Sequence, residues 1–142
     1  MKKIVLLIIM LAAATIVFCE ITYSDSLLQA AKRGDATAQY ILGAHYFKGE
    51  GVDRDYKEAV KWYRLAAEQG DDFAQFNLGL CYYKGEGVVQ SYKDAYFWAL
   101  IAAANGVEAA KELSYKAEKK LSSEDISQIQ SKASQWFETH NN

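Results

Sequence analysis

With 142 residues, about half of them apolar and a quarter charged, the chain reads as one globular domain and not as a disordered segment. A formal net charge of -2 with no long basic block lacks the electrostatic footprint of a nucleic-acid binder, so nucleic acid is excluded as the expected partner. Proline is absent and strand-like alternation is scarce, which leaves an all-helical reading unopposed.

The N-terminus stands apart from the rest. Lys2 and Lys3 precede an apolar run from Ile4 to Phe18, and polar residues take over at Glu20, the layout of a secretory signal peptide over residues 1–19. The run falls short of the roughly 20 apolar residues of a comfortable membrane span, so export is the expectation and an uncleaved inner-membrane anchor the alternative. Cys19 sits where a bacterial lipoprotein carries its acylated cysteine, but Phe18 fills the preceding position, where a small residue is needed. Cleavage after Cys19 leaves Cys81 as the one remaining cysteine, expected to be a buried, inert thiol.

From residue 20 to 34 the chain predicts a cap helix, because Ala30, Ala31 and Gly34 match the end of a unit that then appears in full. That unit runs over residues 35–70 and again over 71–106. Asp35, Ala38, Gln39, Leu42, Gly43 and Tyr46 return as Asp71, Ala74, Gln75, Leu78, Gly79 and Tyr82, and Tyr56, Ala59, Trp62, Ala66, Ala67 and Gly70 return as Tyr92, Ala95, Trp98, Ala102, Ala103 and Gly106. A fixed period of about 36 residues marks a stacked repeat, each unit burying its apolar side against its neighbours. Asp35 is a natural N-cap for a first helix, A, which Gly49 and Gly51 end; a second helix, B, starts near Asp55 and ends at Gly70. Connections of two residues force antiparallel neighbours.

On a helical wheel the recurring residues of helix A fall on one side, which must be the packed one. Gly43 and Gly79 each cost roughly 1 kcal/mol in helix propensity, tolerable where a neighbouring helix needs the room, and Trp62 and Trp98 are expected to fill the volume between helices. Residues 107–142 hold a degenerate repeat and a C-terminal capping helix. Ala109, Ala110 and Leu113 begin a third helix A, and Ser122 with Asp125 caps a last helix that carries Ile126, Ile129, Ala133, Trp136 and Phe137 on one face.

The stretches Ala36 to Gly43, Gly49 to Val52, Asp55 to Ala59 and Trp62 to Ala67, with their second copies, resemble the Sel-1-like repeat (SLR). The resemblance implies an all-α fold, a right-handed superhelical α/α solenoid of antiparallel helix pairs related to tetratricopeptide repeats. It also implies a protein-protein adaptor or scaffold, in the bacterial envelope or at the host interface, periplasmic or secreted. It names no ligand, since fold alone does not.

Residues that differ between the copies mark the faces that stacking leaves free. On helix A they are Thr37, Ile41, Ala44 and Lys48, matched by Phe73, Asn77, Leu80 and Lys84. Tyr40, Phe47, Phe76 and Tyr83 lie alongside. The candidate partner-binding face is therefore Tyr40, Ile41, Ala44, Phe47, Phe73, Phe76, Asn77, Leu80 and Tyr83, whose large rings are suited to anchor a peptide or partner helix; the alternative is that these rings pack against neighbouring repeats or a cap. On helix B, Lys61, Arg64 and Glu68 become Phe97, Leu100 and Ala104, with Ile101 beside them. That apolar face needs a cover, either the final helix or a second copy, so the chain is expected to be a monomer or weak homodimer.

No catalytic, cofactor or metal site is expected. His45 and His140 have no zinc-ligand spacing, and His45 occupies the place of Cys81, where packing explains it. The Gly-x-Gly loops follow helices, not strands, so they are turns. A β-lactamase-like hydrolase of the cysteine-rich SLR type is the alternative that the resemblance carries. Against it, no Ser-x-x-Lys occurs and the regular cysteine pairs are missing.

Overall fold

Asp35 and Asp71 accept hydrogen bonds from the backbone N–H groups of Ala38 and Ala74, at 2.7 and 2.8 Å, and each starts a helix three residues earlier than its bond. In this computed structural model, which describes Ile4 and residues 25–140, such caps define a simple order of helices. The described part opens with helical residues 25–32 (α1), followed by α2 (Ala36–Lys48), α3 (Tyr56–Glu68), α4 (Asp72–Lys84), α5 (Tyr92–Ala104), α6 (Glu108–Glu118) and α7 (Ser123–His140). No strand occurs among the described residues. The expected leader, apart from Ile4, and positions 20–24 of the cap helix lie outside them.

Helices α2 and α3 form one antiparallel pair and α4 and α5 the next, and α3 packs on α4 to join them. The fold is the α/α solenoid expected from the period. Each B-to-A turn closes in the same way: the N–H of Gly70 reaches the carbonyl of Ala67 and that of Asp71 reaches Ala66, at 3.0 and 3.1 Å, and the corresponding bonds recur at Gly34 and Gly106. Gly70 sits at φ 94°, a left-handed conformation that a residue with a Cβ rarely adopts. At the third turn the cap aspartate is replaced by Val107, which offers no side-chain bond to α6.

The core follows from the recurring small residues. Ala59, Ala66, Ala67, Ala74, Ala95 and Ala102 are fully buried, so the helix backbones come close. A Cβ placed on Gly43 would lie 2.7 Å from the Tyr63 ring and 3.2 Å from the Ala59 carbonyl, which explains the glycine. At Gly79 the neighbours are the side chain of Leu113 and the backbone of α5, at 3.3 to 3.5 Å. A Cβ at Gly87 would collide with the Tyr56 carbonyl, so the second Gly-x-Gly loop rests on the first turn of α3.

The tryptophans do not behave alike. Trp98 is 6% exposed, its ring 5.2 Å from Phe97 and 5.3 Å from Trp136. Trp62 is only half-buried, packed against a small satellite cluster of Ala31, Ala38 and Leu42 that the short α1 helps to form. The inter-helix volume in the first repeat is filled by Tyr63, not by Trp62 as the repeat pattern predicts.

The C-terminal region departs from a third pair. Helix α7 runs along α5, with little contact to α6. Register explains it: Tyr115 occupies the place of Gly43 and Gly79, stands largely exposed, and bars a partner helix from α6. The last helix starts where expected, with Asp125 N–H bonded to Ser122 Oγ at 3.1 Å, and its Ile129 and Ala133 are buried. Trp136 meets the Phe97 ring at 6.1 Å, so the apolar outer face of α5 is covered from within the chain.

Candidate functional site

The residues singled out on helix A lie on α2 and α4, and several of them edge toward the paired helices α3 and α5. Tyr40, Ile41, Ala44 and Phe47 on α2 are half-buried, as are Phe76, Asn77, Leu80 and Tyr83 on α4, whereas Phe73 is 60% exposed. The fold brings two of them together across the repeat boundary: the rings of Tyr40 and Phe73 are 6.1 Å apart. Tyr40 in turn leans on Tyr63 at the same separation. The result is a row of rings whose inner member belongs to the core and whose outer member stands in solvent.

Phe47 and Tyr83 are placed differently. Each packs on the first residue of its own B helix, Tyr56 at 4.9 Å and Tyr92 at 5.4 Å, and Phe47 also approaches Tyr63 at 6.4 Å. Tyr40, Ala44, Phe47 and Tyr83 therefore pack against the central core as well as edging the free face. Burial makes ionisation of the Tyr63 phenol strongly unfavourable, so this floor stays neutral.

Beneath the face lies a polar cross-link that sequence reading did not assign. Gln39 donates from Nε2 to the Ala31 carbonyl at 3.1 Å and accepts from Gln69 Nε2 at 2.7 Å. Gln75 repeats this with the Ala67 carbonyl and Asn105 Nδ2, both at 3.3 Å. Each buried glutamine thus ties the helix before it to the end of the helix after it, which fixes the angle between successive units. The recurrence of Gln39 and Gln75 was the available signal. Their partners were hidden because one is Gln69 and the other Asn105.

His45 bonds through Nδ1 with the carbonyl of Glu50 at 2.7 Å and holds the Gly-x-Gly turn, a more polar task than the packing role expected of it. Its counterpart Cys81 is buried, as expected, and burial, helped by the nearby Glu86 carboxylate, pushes its thiol up to about 12. Such a thiol is a poor nucleophile. A concavity of about 380 Å³ opens on the side of the B-to-A turns, between Gln69, Asp72 and the end of α7, where the Trp136 and His140 rings stack 3.6 Å apart. Its amides are already engaged: Asn105 donates to Gln75, and Gln69 donates to Gln39. Among the described residues no group of three His, Cys, Asp or Glu is arranged to hold a metal ion, and no helix is long and apolar enough to cross a membrane.

The Sel1 repeat family model matches residues 36–71 and 72–107, covering the two helix pairs together. This chain belongs to the Sel1 repeat family. Solved structures agree: c5321, a protective antigen present in uropathogenic Escherichia coli strains and displaying an SLR fold, is 36% identical over 80% of this chain, with a TM-score of 0.75. A Sel1 repeat protein from Oxalobacter formigenes is also 36% identical, over 63% of this chain, with a TM-score of 0.63. The chain spans about a quarter of the length of each, 25% and 26%. No curated protein matches it. Sel1 repeat proteins generally mediate protein-protein interaction, and their solenoid is typically a non-catalytic scaffold.

Proposed function

We propose that the chain is an exported adaptor, a binding module and not a catalyst, that holds a protein or peptide partner on the helix A face. The observation that carries this reading is the Tyr40–Phe73 pair. Phe73 spends a large aromatic ring on solvent while its neighbour is anchored in the core, and rigid rings of this kind favour tight binding because little side-chain entropy is lost. The binding face comprises Tyr40, Ile41, Ala44, Phe47, Phe73, Phe76, Asn77, Leu80 and Tyr83, offered by repeats over residues 35–70 and 71–106 and flanked by caps at 20–34 and 107–142.

Export rests on the charge-then-apolar pattern of residues 1–19, which suits a signal peptide, with an inner-membrane anchor as the other outcome. A periplasmic or secreted location is also in keeping with the likeness to an antigen of pathogenic strains. Intact mass of the chain recovered from periplasm and medium reads both points: loss of the first residues supports export with cleavage, and an uncut membrane-bound chain rejects it.

The binding face is tested by Phe73→Ser combined with Leu80→Ser. We expect the thermal midpoint to fall modestly, through half-buried Leu80 and not through exposed Phe73, while the fold persists and capture of an envelope partner is lost. Collapse of the fold, or capture unchanged in a folded variant, rejects the face.

A further inference from the structure

The concavity beside the B-to-A turns has a lining that the stacking of repeats does not require. One carboxylate stands in it, that of Asp72 in the first turn of α4. The first repeat has Ala36 at this position, so the turn forms without an acid there, and the capping is done by the neighbouring Asp71 through the Ala74 N–H. Other first-turn carboxylates meet a donor from this chain. Glu58, Glu108 and Asp125 are held by Lys61, Lys111 and Lys93, Asp94 by the Ser91 hydroxyl and Glu124 by the Gln128 amide. Half-buried Asp72 meets none among the described residues, and no lysine or arginine lines the concavity.

The amides around Asp72 add acceptors. Gln39 and Gln75 give their NH2 groups to the backbone carbonyls of Ala31 and Ala67, which can only accept, and this fixes the direction of the whole cross-link. Gln69 Nε2 therefore donates to Gln39 Oε1 and to the Leu65 carbonyl, at 2.7 and 3.3 Å, so both of its hydrogens are used. Asn105 Nδ2 donates to Gln75 Oε1 in the same sense. The oxygens Gln69 Oε1 and Asn105 Oδ1 are left over, and neither accepts a bond among the described residues. The α7 side is aromatic, with Phe137 beside the stacked Trp136 and His140 rings. His140 Nδ1 lies 2.9 Å from the Trp136 carbonyl, to which it can only donate, so Nε2 of the neutral ring is one more acceptor.

We propose that the concavity is a binding site for a guanidinium group, its N–H fork bonded to the Asp72 carboxylate and the Gln69 and Asn105 oxygens, and its plane against the α7 rings. A guanidinium suits this lining better than an ammonium because it is planar, stacks on aromatic faces and spreads its donors over several acceptors at once. At about 380 Å³ the space is at the small end for ligand sites, in keeping with one group the size of a side chain. The acceptors come from the ends of α3 and α5 and the start of α4, and the rings from α7. The site therefore exists because the last helix folds back over the second repeat, and it does not depend on the helix A face binding anything.

The test is a two-dimensional NMR titration of the intact chain with N-acetyl-arginine amide, beside its citrulline counterpart, which keeps the shape and loses the charge, and its lysine counterpart. We expect saturable shifts at Asp72, Asn105 and Trp136, with the lysine compound weaker and the citrulline compound weaker by about tenfold or more. Asp72→Asn should weaken the arginine compound about tenfold and leave the citrulline compound unaltered. Asp53→Asn, which removes an exposed carboxylate outside the concavity, should change neither. Circular dichroism of both variants checks that the helices persist. Free arginine reports the source: tighter binding than the capped form assigns the amino acid itself, and binding no tighter assigns an arginine side chain within a protein, each supporting the guanidinium. Equal binding of the citrulline or lysine compound, an equal loss in Asp53→Asn, or shifts that never saturate would overturn the proposal.

Discussion

The two repeats share their packed residues and differ in what lies outside them. In the first, the outer face of α3 presents Lys61, Arg64, Leu65 and Glu68 to solvent or its edge, and Leu65 is 40% exposed. In the second, the equivalent Ile101 is fully buried and Phe97 lies under Trp136 of α7. The shared residues build a hairpin of helices; the residues that differ record which neighbour covers it. That is why one repeat ends in water and the other in a core.

The largest expected effect comes from taking the neighbour away. Truncation after Leu121 removes α7 and bares Phe97, Trp98 and Ile101, a contiguous apolar patch that soluble monomers rarely tolerate. Light scattering should then report association or aggregation. A soluble, stable monomer would mean that α7 is not the cover.

Next come the paired tryptophans. Trp98→Ala should cost about 3 to 5 kcal/mol in a denaturant titration, because the ring is enclosed by α5 and α7. Trp62→Ala, whose ring is only half-buried against the satellite cluster of Ala31, Ala38 and Leu42, should cost roughly half of that. Equal losses would erase the contrast between the repeats.

Glycine sharpens the same contrast on a smaller scale. Gly43→Ala gains up to about 1 kcal/mol of helix propensity but drives a Cβ into the Tyr63 ring, so a net loss of about 1 to 3 kcal/mol is expected. At Gly79 the nearest atom is the end of the Leu113 side chain at 3.3 Å, which can give way. Gly79→Ala should therefore be the milder change, read from the two thermal midpoints.

Much of this was legible before any coordinates. The period, the caps at Asp35, Asp71 and Ser122 and the glycine contacts all follow from residue type and spacing, because each is a local or nearest-neighbour matter, whereas the cover of α5 stayed open between the last helix and a second copy. The different fates of Trp62 and Trp98 were not legible. Identical residues in identical hairpins are buried to different depths when one hairpin has a short cap outside it and the other a long helix. The path of α7 was hidden as well, although Tyr115 at a glycine position held the clue. For the free face, sequence comparison between the copies picked out residues that the fold sets on two adjacent helices, but it did not say that Tyr40 would bridge Tyr63 and Phe73.

The smallest expected effect concerns pH. The Lys93 ammonium, 2.6 Å from Asp125, holds that carboxyl below its ordinary range, with a further bond from Ser122. A depressed carboxyl stabilises the fold above its unfolded value, about 3.9, and the contribution fades as pH falls through the folded one. Comparing the protein with Lys93→Met should give a small stability difference at neutral pH that begins to fade at about pH 4 and is lost once pH falls below the depressed folded value. A difference that persisted in acid would assign the role of Lys93 to something other than its charge.

The account stands on the claim that the free face of α2 and α4 is the contact surface. Hydrogen exchange of the intact chain, measured alone and with a captured partner, tests it most directly. Slowed exchange in Ala36–Lys48 and Asp72–Lys84, with the outer helices α3 and α7 unchanged, is the predicted result. Protection confined to α3 or α7 would contradict it.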